Sequence, residues 1–423
     1  MSNKKIGLLN LQYIDNYGAN LIAFAMESVC SELFPDYTVQ TINRIIDEEI
    51  INSQAYSFSN MIRLFGVTKG ISTKLISFYR IVRLFVFNNL ITKTFKKFIK
   101  FILKTPSISP ADDPIATLSQ KRLSNFQNFR NQHLHMTDPF SDERFMDEDF
   151  GAIIVGSDVV WKPQRLLAKT ANKTFFLQTN RNFKKIAYAA SLGVSDEKQL
   201  KRLAKRYKKS ISHFNSISIR EFSTTSYIQS IIPEKKVYNC IDPVFLCRAD
   251  KYENLIEQQA DNDKYIYAYI LGKNENAINY VNRLAEEKSL KICYHSNSSF
   301  KNGNNTYADG PCEFLQRIKN AEYVITDSFH GTAFSIIFKK QFYSFTRGVL
   351  SVRLENFMSQ IGMKDRLLSS VSDETDIDSE IPYDDVFEKI DDWVKSSKEF
   401  LKEAIYQEDK NENCCNNANK TEQ

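Results

Sequence analysis

The 423-residue sequence lacks most of the spacings that mark the commoner kinds of site. Its seven cysteines (Cys30, Cys240, Cys247, Cys293, Cys312, Cys414 and Cys415) include no CxxC pair and no Cys/His ligand spacing. That argues against both a zinc site and a disulfide framework, and most of them read as reduced core thiols. There is no GxGxxG, no Walker lysine and no GxSxG, so a dinucleotide fingerprint, a phosphate-binding P-loop and a serine-hydrolase elbow are all unsupported. No metal cluster stands out, and neither a metal nor a cofactor is expected. No window approaches the length of a membrane span. The run IGLLNL after Lys4 and Lys5 is too short for a signal peptide and continues as a strand, so the expectation is a cytoplasmic protein. A net charge of +5 is too small to imply a nucleic-acid partner.

One absence is local. Residues 50–111 contain no acidic residue, yet ten lysines or arginines fall between positions 63 and 104. Within that stretch Ile91, Phe95, Phe98 and Ile102 repeat at helical spacing, and Lys93, Lys97, Lys100 and Lys104 repeat two positions later on the opposite face. Such a basic amphipathic helix either lies on an anionic membrane surface or packs on its parent domain with its lysines in water.

What the chain does have is apolar material. It is 42% hydrophobic with 31 Phe and 20 Tyr, enough for buried sheets. Its length exceeds one ordinary core, so two domains with an insertion are expected. Short apolar runs (6–11, 37–42, 151–155, 185–190, 216–219, 265–271, 291–295, 323–326 and 341–345) alternate with helical periodicity, the pattern of parallel α/β sheets. The fold class expected is α/β, with two Rossmann-like domains facing a cleft (GT-B-like). Residues 1–245 form the first domain, with the basic insertion at about 55–110. Residues 246–406 form the second, and 407–423 a disordered tail. The Asp242-Pro243 step disfavours helix and suits a joint between them.

Four polar turns follow strands: Asn16–Asn20 with Gly18, Ser157-Asp158, Arg220-Glu221, and Asp327-Ser328-Phe329-His330-Gly331 before a helix at 332–338. In parallel sheets all four lie on carboxyl edges, where ligands bind and free helix N–H groups favour an anion. A histidine, an arginine and two aspartates there suit binding a small di-anion and moving protons. Each has a structural alternative. Gly18 could make only a turn, Asp158 could cap one, Arg220-Glu221 could be an ion pair, and His330 could pack locally. His295 is a second candidate, whereas His133, His135 and His213 read as ordinary surface or core residues.

Specific strings go further. NYGANLIAFAM (16–26), IIVGSDVVW (153–161), IAYAASLG (186–193), SIREF (218–222), DPVFL (242–246), ITDSFHGTAFSIIF (325–338) and SVRLENFMSQIGMKDRLL (351–368) resemble, in order, the polysaccharide pyruvyl transferase family. The resemblance implies a GT-B-like fold. It also implies transfer of an enolpyruvyl-derived unit from phosphoenolpyruvate (PEP) to a sugar or lipid-linked oligosaccharide, forming a cyclic pyruvate ketal in capsule or exopolysaccharide assembly. Arg220 and Arg353 match family arginines. Some relatives have Arg-Leu-His-Gly where this chain has Ser328-Phe329-His330-Gly331, which leaves one anion contact to another group such as Arg353.

On that reading His330 and Asp158 are the catalytic acid/base candidates. Arg220, Ser328, Gly331, Gly18, Asn16 and Arg353 contact substrate, and the protein works at the inner face of the membrane. Two rivals remain at this point: a GT-B glycosyltransferase using a nucleotide-sugar, and a non-catalytic glycan-binding protein.

Overall fold

The computed structural model describes residues 4–44, 114–140, 143–162, 174–194, 196–257, 263–272, 274–295, 300, 303–347, 352–370 and 376–406. The chain runs β1 (Lys4–Leu9), α1 (Tyr17–Leu33), β2 (Tyr37–Thr41), α2 (Pro114–His133), β3 (Ala152–Val155), β4 (Lys184–Ala190), α3 (Glu197–Ser212), β5 (Ser216–Ile219), α4 (Phe222–Ile231) and β6 (Val237–Asn239). It continues with α5 (Ala249–Glu253), β7 (Tyr265–Tyr269), α6 (Glu275–Lys288), β8 (Lys291–His295), β9 (Gly303–Asn305), α7 (Pro311–Asn320), β10 (Tyr323–Thr326) and α8 (Phe329–Ile337). β11 (Gln341–Phe345), α9 (Val352–Gln360), β12 (Leu367–Leu368) and α10 (Tyr383–Tyr406) complete it.

The strands form two six-stranded sheets, ordered β2-β1-β3-β4-β5-β6 and β12-β11-β10-β7-β8-β9, with every pairing parallel. Strand-helix alternation dictates this, because a parallel return needs a crossover. The expected pair of Rossmann-like sheets is therefore present. The basic insertion expected at about 55–110 and the tail at 407–423 lie outside the described residues. No helix among the described residues is long and apolar enough to cross a membrane.

Both sheets belong to one compact unit; residues 46–121 form a second, described only over the first turns of α2. The alternation of strand side chains explains how the first unit coheres. Ile6, Leu8, Ile154, Ile186 and Tyr188 of the first sheet join Tyr267, Tyr269, Val324 and Phe342 of the second in one apolar cluster. Their opposite faces (Leu9, Ile153 and Val155 in one sheet, Ile266, Ala268 and Ile325 in the other) fill separate outer layers. α10 returns to the first sheet: Ser397 Oγ accepts from Ile241 N at 3.0 Å, and Phe400 packs on Tyr238 with centroids 5.0 Å apart.

Tyr17 is the keystone of the shared core. Its ring stacks on Phe126 and Phe314 at 5.3 and 4.4 Å. Its hydroxyl donates to Asp309 O at 2.9 Å, accepts from Arg122 Nη1 at 2.9 Å, and lies 3.2 Å from His295 Nδ1. Arg122 also donates to Asp15 O and Tyr307 O, so one guanidinium satisfies carbonyls from both ends of the chain.

Several boundaries differ from expectation. α1 and α8 begin three or four residues early, because Asn16 and Ser328 cap them: Asn16 Oδ1 accepts from Ala19 N at 3.1 Å and Ser328 Oγ from Gly331 N at 3.5 Å. Edge strand β9 lies in the polar stretch between β8 and α7. The Asp242-Pro243 step is no exposed joint; Asp242 is buried, and Pro243 opens a 3₁₀ turn. Four of the cysteines (Cys30, Cys240, Cys247 and Cys293) are buried and unbridged.

The keystone carries a pH signature. Burial and the neighbouring Arg122 pull His295 from 6.5 down to about 3. Between those values the unfolded chain binds a proton that the folded chain refuses, so stability present above pH 6.5 is lost as pH falls toward 3, at about 1.4 kcal/mol per pH unit. In urea melts across this window, His295→Gln should lose that increment of slope relative to wild type. Parallel slopes for the two proteins would refute the assignment.

Candidate functional site

The site grows from a charge that cannot stand alone. Asp242 sits in the apolar run IDPVFL, and its side chain is fully buried. A carboxylate in that position must be compensated. It takes a 2.6 Å contact from Arg220 Nη1, a hydrogen bond from Ser157 Oγ at 3.3 Å and one from Val244 N at 3.2 Å. These donors come from the carboxyl ends of β3 and β5 and from the 3₁₀ turn after β6, so one carboxylate ties three loops together.

Arg220 is itself surrounded. Glu221 Oε1 lies 3.5 Å from its Nε and Asp158 Oδ1 3.7 Å from its Nη2. Burial works against the cation, but Asp242, Glu221 and Asp158 more than restore it, raising its pKa. Its guanidinium also lies over the Phe329 ring at 5.1 Å. Glu221 is held by Ser191 Oγ at 2.7 Å, while its Oε2 is buried without a hydrogen bond. Asp158 has a left-handed backbone, φ 71°, fixed by Ser191 N donating to its carbonyl at 3.1 Å. Burial favours its neutral form, but Arg220, His330 and Arg353 outweigh that and hold its carboxyl below the usual range. It is ionised at neutral pH.

The second half of the chain contributes His330 and Arg353. His330 lies in the first turn of α8, with Nε2 4.0 Å from Asp242 Oδ1 and without a hydrogen bond among the described residues. Burial, with Arg220 and Arg353 nearby, lowers its pKa despite Asp242 and Asp158, so the imidazole is neutral at neutral pH. Gly18 explains how the ring gets there: any Cβ at that position would occupy the space of the imidazole. Arg353, in the first turn of α9, makes no ion pair or hydrogen bond among the described residues. Burial and Arg220 push its pKa down. Arg220, Glu221, Asp242, Phe329 and Arg353 line one narrow recess together with Phe222, Asn356, Phe357, Gln360 and Trp393.

The residues expected from sequence therefore divide. Asp158, Arg220, His330 and Arg353 come together, and Gly18 is their neighbour by making room. Asn16 and Ser328 are helix caps. The expectation that the Gly331 N–H faces an anion does not hold, since Ser328 Oγ accepts it, and a Cβ there would meet Thr326 and Tyr269. His295 belongs to the keystone. Sequence reasoning missed Asp242 and Glu221 as members of the cluster; an acid inside an apolar run was the available signal. Asn10, buried one residue past β1, rests where Gly156 leaves space, and its amide makes no hydrogen bond among the described residues. Chemically, the cluster offers a guanidinium without an ion pair among the described residues, a neutral imidazole and an ionised carboxylate, and of these three Arg353 lines the recess. No group of metal-ligating side chains occurs among the described residues.

No curated protein matches the sequence. Several solved structures do. UDP-N-acetylglucosamine 2-epimerase from Rickettsia bellii is 10% identical, with 96% of this chain and 100% of that one covered, at a TM-score of 0.44. The Neisseria meningitidis UDP-GlcNAc 2-epimerase bound to UDP-GlcNAc is 8% identical, with 95% and 94% covered, at 0.42. A UDP-glucosyltransferase from Polygonum tinctorium is 9% identical, with 96% and 99% covered, at 0.35. The polysaccharide pyruvyl transferase family model matches residues 16–348, a span that holds Gly18, Asp158, Arg220, Asp242 and His330, and the chain belongs to that family.

Proposed function

We propose that the recess binds phosphoenolpyruvate and transfers its three-carbon unit to a pair of sugar hydroxyls, as a cyclic ketal, during capsular or exopolysaccharide assembly. The observation that carries this reading is Arg353. Arg220 is spent on three carboxylates, whereas Arg353 is a guanidinium with no ion pair or hydrogen bond among the described residues, held half-buried beside a second cation. Its lowered pKa measures the cost of that arrangement, which an incoming anion relieves.

Arg353 takes the carboxylate or phosphate of PEP, with Arg220 presenting its remaining N–H surface. His330, protonated as the anion enters, gives its proton to the methylene carbon. C3 becomes a methyl group and C2 turns electrophilic. Asp158 accepts the proton of the first sugar hydroxyl as its oxygen bonds to C2. The second hydroxyl oxygen then bonds to C2 while the bond from C2 to the phosphate ester oxygen breaks. Inorganic phosphate leaves, and the hydroxyl proton passes to solvent or phosphate. Asp242, 4.0 Å from His330, steadies the imidazolium during this cycle.

Two predictions separate holding the fold from holding the donor. Arg220→Ala strips Asp242 of its partner and should cost about 3–5 kcal/mol of stability in urea. Arg353→Ala breaks no pair and should cost less than about 1 kcal/mol. PEP at 100 times its Kd should stabilise wild type by about 2.7 kcal/mol, and Arg353→Ala should abolish that shift. An undiminished shift in Arg353→Ala would overturn the donor site, and a shift with nucleotide-sugars instead of PEP would select glycosyl transfer.

The second concerns protons. With His330 neutral in the free protein, PEP entry raises its pKa and takes up as much as about one proton, so affinity should rise as pH falls from about 8 to 6. Calorimetry in two buffers of different ionisation enthalpy counts that proton. His330→Gln should bind PEP without it, leaving only the titration of the phosphate itself. Equal uptake in both proteins would remove His330 as the acid.

A further inference from the structure

We infer that the outer wall of the same recess is the seat of a pyranose ring, with Phe222 as its stacking platform and Asn356 and Gln360 as its hydroxyl contacts. The inference deepens the transferase reading and rests on it for the identity of the sugar as acceptor.

Phe222 is the first residue of α4 and directly follows the Arg220-Glu221 pair. It is 59% exposed, one of four large hydrophobic side chains so exposed among the described residues, and the only one of them that lines this recess. An aromatic ring left in water beside a charged cluster needs a reason that core packing does not provide. In the same lining, α9 contributes Arg353, Asn356, Phe357 and Gln360 at spacings of three, one and three, which places them on one stripe. Phe357 anchors the stripe, packing on Phe245 and Phe329 with centroids at 5.2 and 5.3 Å. Asn356 is partly exposed and Gln360 exposed, both line the recess, and neither amide makes a hydrogen bond among the described residues. Trp393 closes the far side with its indole fixed by donation to Asn239 O at 3.2 Å.

This composition matches the surface of a pyranose. One face of the ring is a patch of C–H groups that lies on an aromatic plane, while the equatorial hydroxyls each need a donor and an acceptor at once. A carboxamide supplies both, and an arginine or carboxylate alone does not. A sugar on Phe222 would stand next to Asp158 and Arg220, where its hydroxyl pair is wanted. A bare phosphate, which has no apolar face, would gain nothing from the open ring.

The test uses full-length protein and the emission of Trp393; Trp161, the second tryptophan, is fully buried. Methyl glycosides of galactose, glucose and mannose are titrated up to about 100 mM, the range in which shallow carbohydrate sites saturate. At least one should change the emission of wild type, and Trp393→Phe should lose that response. Phe222→Ala should weaken the interaction about tenfold, Phe222→Tyr should restore it, and Asn356→Ala and Gln360→Ala should each weaken it by about fivefold. The PEP-induced thermal shift should persist in Phe222→Ala. Glycoside affinity unchanged in Phe222→Ala, or no response of wild type to any glycoside, overturns the platform. Glycoside binding that follows the expected order in a protein with no PEP shift supports the platform and overturns the donor assignment instead.

Discussion

A single buried carboxylate organises this molecule. Asp242 cannot be dehydrated without compensation, and the groups that compensate it arrive from the ends of β3 and β5 and from the turn it caps. Satisfying it sets Arg220 in place, and Arg220 in turn gathers Asp158 and Glu221. Stability and site geometry are thus the same set of contacts. Such a network is costly to disturb, because losing any member strands a charge in a dry interior.

The shared core extends that constraint to the other half of the chain. Tyr17 lies between Phe126 and Phe314, and Arg122 ties its hydroxyl to the carbonyls of Asp15 and Tyr307. With the start of α1 held this way, Gly18 faces the start of α8 closely enough that only a residue without a side chain fits beside His330. The placement of His330 comes from core packing on one side and a missing Cβ on the other.

The charges of the site do not cancel. Two guanidinium groups meet three carboxylates, and the histidine is neutral. The two arginines are thus not equivalent: Arg220 is bound into the fold by three carboxylates, whereas Arg353 makes no ion pair or hydrogen bond among the described residues. The same arrangement suits a reaction that begins with proton delivery to carbon.

Much of this was legible in the sequence. Runs such as AIIV and YVIT are strands because every side chain in them is buried, and their alternation with helical periodicity requires parallel sheets. Asp158, Arg220 and His330 stood out because a polar residue just past such a run lies on a carboxyl edge. What local sequence could not reveal is which polar residues are consumed by the fold. Asn16 and Ser328 look like ligands and are caps, whereas Asp242 looks like a joint and is the centre. Gly331 serves close packing, and Gly18 serves His330, 312 positions away in the chain. Periodicity is a property of neighbours in sequence, so the chain alone determined its strands, helices and sheet type. Compensation of a buried charge depends on partners brought near by folding, and only the tertiary structure decided that Arg220 is occupied and Arg353 is free of any partner among the described residues.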